Sequence, residues 1–172
     1  MTHDITPRSL LRSMCRFVLV VSFLQQGCTN TKTSTRQARV RPLRMQQPPP
    51  LPRMCSGRPK GKRLLLIFAS RWCTHCHTLM EQLTRAPKKL RQYSLTPVLM
   101  WTDTKHCLGA RMAGAHYPRW PFGRPTSLQQ QQWGVVATPV IYLVEDKTPT
   151  LRIDGAIDIS TLFHVIQRTS PR

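Results

Sequence analysis

The stretch Leu64–Leu83, LLLIFASRWCTHCHTLMEQL, decides the fold of this chain. It begins with six apolar residues in a row, which is typical of a strand buried on both faces of a sheet. Apolar residues then recur at helical spacing from Cys73 to Arg85, and Pro87 predicts that this helix ends. Cys73 and Cys76 stand three residues apart in its first turn. One sulfur is therefore predicted at the helix N-terminus and the other one turn further in.

This placement predicts a redox pair. The reactive species of cysteine is the thiolate, and the helix dipole together with unpaired N–H groups favours an anion at Cys73. We expect a protonated His75 and the positive charge of Arg71 to lower the pKa of Cys73 further, so that it is largely ionised at neutral pH. Cys76 lies on the apolar helix face with Leu79, where burial disfavours its thiolate. Cys73 is thus predicted to attack a disulfide and Cys76 to resolve the mixed disulfide.

Other interpretations use the same cysteines. Cys73 to His77 also spells the C-x-x-C-H signature of covalent haem attachment, with Met100 or Met112 as the distal iron ligand, but a mostly helical fold is expected around such a site. Zinc bound by Cys73, Cys76, His106 and Cys107 is a weaker alternative, because only one C-x-x-C is present. A purely structural disulfide across so short a loop would restrain little chain entropy. We predict no metal and no cofactor.

The remaining elements follow from the pattern of apolar residues and turns. Further strands are predicted at Pro97–Trp101 and Val140–Val144, and a hairpin across Glu145–Thr150 returns the chain through Leu151–Ile153. A short polar helix is predicted from Ser127 to Trp133, and a final helix begins near Asp158 or Ser160. The predicted order is β-α-β-(α)-β-β-α.

Thr138 and Pro139 stand at the start of the predicted third strand. A proline in that position can be held cis, which exposes the preceding backbone to a bound peptide. Together with the upstream C-x-x-C, the cis form is the favoured interpretation.

These features together resemble the thioredoxin superfamily over roughly residues 62 to 169. The run Cys76–Leu83, in which a histidine follows the second cysteine, is most similar to the DsbC-like thiol-disulfide isomerases and reductases of the bacterial periplasm. The resemblance implies one α/β thioredoxin-like domain, a central mixed sheet flanked by helices. It also implies that Cys73 is the nucleophile, Cys76 the resolving thiol, and Thr138-Pro139 the backbone that faces the substrate peptide. Ile67 departs from the pattern, since thioredoxin has a buried acid there.

The N-terminal third has a different character. In residues 1–28, arginines precede the apolar run Phe17–Leu24, which is too short to span a bilayer, so an export signal is predicted. Cys28 follows Gly27 as in a lipoprotein processing site, and both lipid attachment at Cys28 and plain cleavage stay open. Residues 29–62 are basic and proline-rich and are predicted to form a disordered linker before a domain at 63–172. We therefore expect a periplasmic, membrane-tethered bacterial protein.

Charge limits the partners. The chain has 26 Lys and Arg against 7 Asp and Glu, a formal net charge of +19. We expect the basic linker to be attracted to anionic membrane surfaces. The same charge supports non-specific phosphate contacts, but no nucleic-acid module accompanies it, so no specific nucleic-acid partner is predicted.

Two features of the sequence leave alternatives open. The segment Ala115–Pro125 mixes aromatic residues, arginine and proline, and forms either a partner surface or a connection packed on the domain. Cys107 is able to pair with Cys55 only if the fold brings them together, which the sequence does not decide.

The sequence thus predicts an exported thiol-disulfide oxidoreductase, a reductase or isomerase that acts on protein disulfides or thiols and depends on a membrane redox partner. A c-type haem electron carrier and a non-catalytic thioredoxin-fold adaptor of an envelope or secretion machine are the alternatives. The direction of electron flow, the substrate and the oligomeric state stay open.

Overall fold

Six strands form one mixed sheet in the computed structural model, which describes residues 38–43, 48–117 and 120–169. The order across the sheet is β1-β6-β5-β2-β3-β4. The β2–β3 and β3–β4 pairs are parallel, and the other pairs are antiparallel. The strands are β1 (Arg39–Pro42), β2 (Arg63–Ala69), β3 (Leu95–Trp101), β4 (Phe122–Gly123), β5 (Val140–Glu145) and β6 (Thr148–Asp154).

Five helices belong to the described part of the chain. They are α1 (Thr74–Thr84), α2 (Pro87–Gln92), α3 (Cys107–Ala113), α4 (Ser127–Gln132) and α5 (Ile159–Thr169). The predicted α/β class with a mixed sheet and flanking helices is confirmed.

Strand β2 lies in the middle of the sheet and has no face in contact with water. Leu65, Ile67 and Ala69 pack on one side with the buried residues of α1 and α5. Leu64, Leu66 and Phe68 pack on the other side, with Trp133 and Tyr142 among their neighbours. This confirms the burial predicted from the uninterrupted apolar run.

The helix predicted to end before Pro87 does end at Thr84, but a second helix begins at Pro87 itself. Proline suits the first turn of a helix because its missing N–H would have no partner there. Leu90 is the buried residue of α2 and packs into the core with α1. The proline therefore separates two helices that lie between β2 and β3.

The predicted hairpin is tighter than expected. Asp146 and Lys147 both have positive φ, 47° and 71°, so they form the two-residue turn and β6 begins at Thr148. That backbone twist matches the twist of the two flanking strands. After β6, Asp158 accepts a hydrogen bond from the N–H of Thr161 at 3.0 Å and so caps α5, close to the predicted start.

Part of the segment expected to be a linker contacts the sheet. Strand β1 pairs with β6, and Met54 bridges Gly123. The backbone of Gly123 lies very close to that of Arg53. A Cβ at position 123 would be only 2.5 Å from the Arg53 carbonyl oxygen, so glycine is required there. These contacts were missed because they join short polar stretches to distant strands. The predicted signal, Cys28 and residues 29–37 and 44–47 lie outside the described residues, and the domain boundaries stay predictions.

A disulfide joins Cys55 to Cys107, with the Cα atoms 5.3 Å apart. Cys55 stands beside β4, where its N–H donates to the carbonyl of Phe122 at 2.9 Å, and Cys107 is the first residue of α3. The pairing that the sequence left open is thus present. It closes a loop of 52 residues around the C-x-x-C motif.

The loop lengths predict that this disulfide contributes more to stability than the one within C-x-x-C. The loop-entropy relation gives about 4 kcal/mol for the 52-residue loop and about 1.6 kcal/mol for the 3-residue loop. The double variant Cys55→Ser/Cys107→Ser should therefore lose more free energy of unfolding than Cys73→Ser/Cys76→Ser. Urea denaturation of both variants without reductant measures the difference, and equal losses would contradict the prediction.

Candidate functional site

Cys73 and Cys76 meet at the start of α1. Cys73 is the N-cap residue, and its sulfur accepts a hydrogen bond from the Cys76 N–H at 3.1 Å. The two sulfurs form a disulfide, with Cα atoms 5.2 Å apart. Cys73 is half-buried and Cys76 is fully buried. The Cys73 sulfur thus lies at the helix N-terminus and the Cys76 sulfur one turn further in, the positions predicted from the sequence.

The surroundings of Cys76 are apolar. Ile67 and Leu79 belong to the same buried cluster, and Thr104 is the one buried polar residue among the residues that the structure describes. Ile67 therefore places a hydrocarbon side chain in the cluster of Cys76 at the position where thioredoxin has a buried acid. Cys76 is therefore enclosed by hydrocarbon side chains.

Thr138 and Pro139 reach the same end of the sheet. Their peptide bond is cis, as predicted. The hydroxyl groups of Thr138 and Ser70 lie 3.2 Å apart, and Ser70 is three residues before Cys73. Pro139 itself is buried, while Thr138 is half-buried. The segment before β5 and the turn before α1 are therefore in direct contact.

Arg71 and His75 differ in their surroundings. The Arg71 guanidinium pairs with Asp103 at 3.2 Å, and the Arg71 N–H donates to the same carboxylate oxygen at 3.0 Å. The negative charge of Asp103 offsets much of the field that Arg71 was expected to exert on Cys73. His75 is exposed on the first turn of α1. Their effect on the pKa of Cys73 stays a prediction.

His77 has a role that the sequence did not show. One ring nitrogen, Nε2, lies 2.9 Å from the carbonyl oxygen of Arg71, and the other, Nδ1, lies 2.5 Å from the hydroxyl of Tyr117. A carbonyl oxygen only accepts, so Nε2 carries a proton, and in the neutral imidazole Nδ1 accepts from the Tyr117 hydroxyl. Burial, with a smaller contribution from Glu81, raises the pKa of Tyr117 and keeps its hydroxyl a donor.

The segment of Arg71 is thereby held from both sides. Asp103 accepts its N–H, and His77 donates to its carbonyl. Aromatic rings extend this contact outward, because Tyr117 stacks on His77 with centroids 6.1 Å apart and on Trp120 at 6.4 Å. Tyr117 and Trp120 belong to the loop whose role the sequence left open. This part of the loop packs on α1, and its 40-residue distance from His77 explains why no local pattern revealed it.

Two large apolar side chains border the cysteine pair and are exposed. Trp72 is 82% exposed immediately before Cys73, and Val136 is 94% exposed two residues before Thr138. Large apolar groups in such positions mark a contact surface rather than a core. Trp72 is adjacent to Cys73 in the chain, and Val136 precedes the Thr138 segment, which contacts Ser70.

The residues of the haem and zinc alternatives do not come together. Met100 is buried on the opposite face of the sheet from Cys76, and Met112 is 68% exposed on α3. Cys107 is bonded to Cys55 and is not a free ligand. Within the part of the chain that the structure describes, no group of three His, Cys, Asp or Glu residues could hold a metal ion. In the same part, no helix is long and apolar enough to cross a membrane.

We predict that Tyr117→Phe lowers the free energy of unfolding by about 1 kcal/mol, because Nδ1 of His77 loses its donor in a half-buried site. Tyr93→Phe is the matched control, since the Tyr93 hydroxyl makes only an exposed contact of 3.4 Å with Gln167. Urea denaturation of both variants measures the effect. Equal stability of the two variants would show that the His77–Tyr117 bond does not stabilise the turn.

Comparisons with known proteins agree with this geometry. No curated protein sequence matches the chain at a significant level. Among solved structures, a putative thiol:disulfide interchange protein DsbE from Chlorobium tepidum is 16% identical with a TM-score of 0.50, covering 63% of this chain and 77% of the other. A secreted Mycobacterium tuberculosis disulfide oxidoreductase homologous to E. coli DsbE is 16% identical with a TM-score of 0.52, covering 68% and 93%.

A thioredoxin-like protein from Aeropyrum pernix is 17% identical, with a TM-score of 0.54, and covers 63% of this chain and 78% of the other. At such identities the likeness concerns the fold. The sequence model of the thioredoxin-like domain matches residues 56–170, more than half of the chain. The protein therefore belongs to the thioredoxin-like domain family.

Proposed function

We propose that this protein is an exported thiol-disulfide oxidoreductase that reduces or isomerises disulfides in other proteins through Cys73 and Cys76. The observation that carries the proposal is the pairing of a half-buried sulfur at the N-cap of α1 with a fully buried sulfur one turn further in. A sulfur that a substrate can reach and a second that it cannot reach are what a two-step exchange requires.

In the reductive direction, the Cys73 thiolate attacks one sulfur of a substrate disulfide. A new S–S bond forms between Cys73 and the substrate, and the second substrate sulfur leaves as a thiolate. Cys76 then loses its proton and attacks the Cys73 sulfur, which releases the remaining substrate thiolate and restores the Cys73–Cys76 disulfide. Two electrons pass from the protein to the substrate, and a reductase partner, which we place at the membrane, must return them.

The local contacts support a role for Cys73 as the attacking sulfur. It lies at the N-terminus of α1, where unpaired N–H groups and the helix dipole favour its anion. Asp103 and His77 hold the preceding Arg71 backbone, so the turn that presents the sulfur is fixed on both sides. A preorganised nucleophile needs less rearrangement to reach the line of attack on a disulfide.

The surface around Cys73 supports an extended, partly apolar substrate segment. Trp72, next to Cys73, and Val136, just before the Thr138 segment, are exposed apolar side chains that a substrate could contact. The backbone of Thr138, next to the cis Pro139, is the segment we propose to pair with the substrate backbone. Proteins that expose a disulfide in an unfolded or flexible segment are the substrate class that fits.

Export and membrane attachment are part of the proposal. They are supported by the signal-like residues 1–28, by Cys28 after Gly27, and by the disulfide Cys55–Cys107, since such bonds persist in oxidising compartments. One of the similar structures is described as secreted. The DsbC-like branch, isomerase activity and lipid attachment at Cys28 stay predictions.

The test is reduction of insulin by the full chain with dithiothreitol as electron source. We expect Cys73→Ser to abolish the acceleration, and Cys76→Ser to accumulate a mixed disulfide with the substrate that a non-reducing gel resolves. The matched control, Cys55→Ser/Cys107→Ser, removes the other disulfide and should keep the activity at a temperature where it is folded. A wild-type chain that reduces no disulfide would contradict the proposal and favour the non-catalytic adaptor.

A further inference from the structure

Several exposed cations lie together at one end of the sheet. Strands β2 and β3 begin side by side there, with Arg63 opposite Leu95, and Glu145 at the end of β5 is also opposite Arg63. The carbonyl of Lys62 accepts the N–H of Asp146 at 2.8 Å, which places Lys62 beside the hairpin turn that contains Lys147.

Helix α2 brings further cations to this end. The Arg63 guanidinium donates to the carbonyl of Tyr93 at 2.6 Å, and Tyr93 follows directly after α2. Lys60 is anchored nearby, since its carbonyl accepts the hydroxyl of Thr96 at 2.9 Å. We call the resulting exposed group the basic pole; its members are Lys60, Lys62, Lys88, Lys89, Arg91 and Lys147.

Negative charge does not balance the basic pole. In the described residues, the four ion pairs use Arg41, Arg63, Arg71 and Arg152, and none of the six cations of the pole is among them. Glu145, which lies opposite Arg63 at the start of β2, is paired with Arg63 at 2.8 Å. Asp146 in the hairpin turn remains as an exposed carboxylate against the six cations. The pole therefore carries an excess of positive charge that a planar anionic surface would match.

The basic pole and the cysteine pair lie at opposite ends of the sheet. Strand β2 begins beside the pole at Arg63 and ends at Ala69, four residues before Cys73. Its 7 residues, at ~3.3 Å per residue, separate the two ends by roughly 20 Å. A protein held by the pole would therefore direct Cys73 away from the surface that holds it.

The composition of the pole favours a membrane over nucleic acid. Five of its six cations are lysines, whose ammonium groups act as point charges on flexible stems and do not require a fixed bidentate partner. Proteins that bind single-stranded nucleic acid add aromatic side chains on which bases stack. The exposed aromatic residue among the large apolar side chains of the described chain is Trp72, which lies beside Cys73 at the other end.

We propose that the basic pole binds anionic lipid bilayers and orients the domain with its cysteine pair facing the aqueous side. This deepens the proposed attraction of the N-terminal segment to membranes, because it assigns a defined surface of the folded domain and an orientation. The lipid binding is independent of the proposed function, but the benefit of the orientation rests on it.

The experiment measures binding of the full chain to vesicles of phosphatidylcholine with and without phosphatidylglycerol. We expect binding only to the anionic vesicles, and weaker binding as salt is added. Each lysine near an anionic surface strengthens binding roughly fivefold, so the triple variant Lys60→Gln/Lys62→Gln/Lys147→Gln should bind roughly a hundredfold more weakly. Its insulin reduction in solution should equal that of the wild type, so failure here is distinguishable from failure of the proposed function.

The matched control is Lys105→Gln/Arg111→Gln/Arg124→Gln, which removes the same charge from the loop after β3, from α3 and from the residue after β4. It should bind anionic vesicles nearly as well as the wild type. Equal losses in the two triple variants would overturn the proposal, because they would assign the binding to net charge alone. Loss of duplex DNA binding in the pole variant, with vesicle binding unchanged, would also overturn it and assign the pole to nucleic acid.

Discussion

Burial of β2 on both faces is the constraint on which the other elements of the structure depend. A strand with alternate side chains in two separate clusters needs helices on one side and a second layer on the other, and it needs a hydrogen-bonded neighbour along each edge. Its backbone groups are then all used within the sheet. Beyond Ala69 the chain leaves the sheet. Its backbone N–H and C=O groups then form the hydrogen bonds of the turn and of α1.

The turn between β2 and α1 carries Cys73 and is held by several contacts. Ser70 contacts Thr138, Arg71 is held by Asp103 and His77, and Cys73 caps the start of α1. Three separate parts of the chain therefore fix a segment of four residues. Ile67 has the opposite consequence, because it removes a proton acceptor from the side of the sheet where Cys76 lies.

The sequence predicted the elements that have their own hydrophobic pattern. Strands β2 and β5 were found because each is an uninterrupted apolar run, and α1 and the final helix because their apolar residues recur at the helical period. Helix α3 was missed since Ala110 is its buried residue, while Leu108 and Met112 are each 68% exposed, so its apolar pattern does not mark a core face. Strand β4 has two residues and forms only because β3 and the segment near Met54 lie on its two sides.

Within the candidate site, too, the features encoded by local sequence were predictable and the long-range contacts were not. Cys73, Cys76 and the cis bond before Pro139 could be predicted, because each is specified by its neighbours in sequence. Contacts between residues far apart in the chain could not. The bond from Tyr117 to His77 and the ion pair of Arg71 with Asp103 span 40 and 32 residues, and no local spacing encodes either of them.

The two outer strands of the sheet have a consequence for self-association. Strand β1 has four residues, two of them arginine and the last a proline, and β4 is covered by the segment near Met54. Short, charged or covered margins offer few free backbone groups to an incoming chain. An oxidoreductase that acts on unfolded polypeptides, as proposed above, would meet many unpaired strands, and these two edges offer such strands little backbone to pair with.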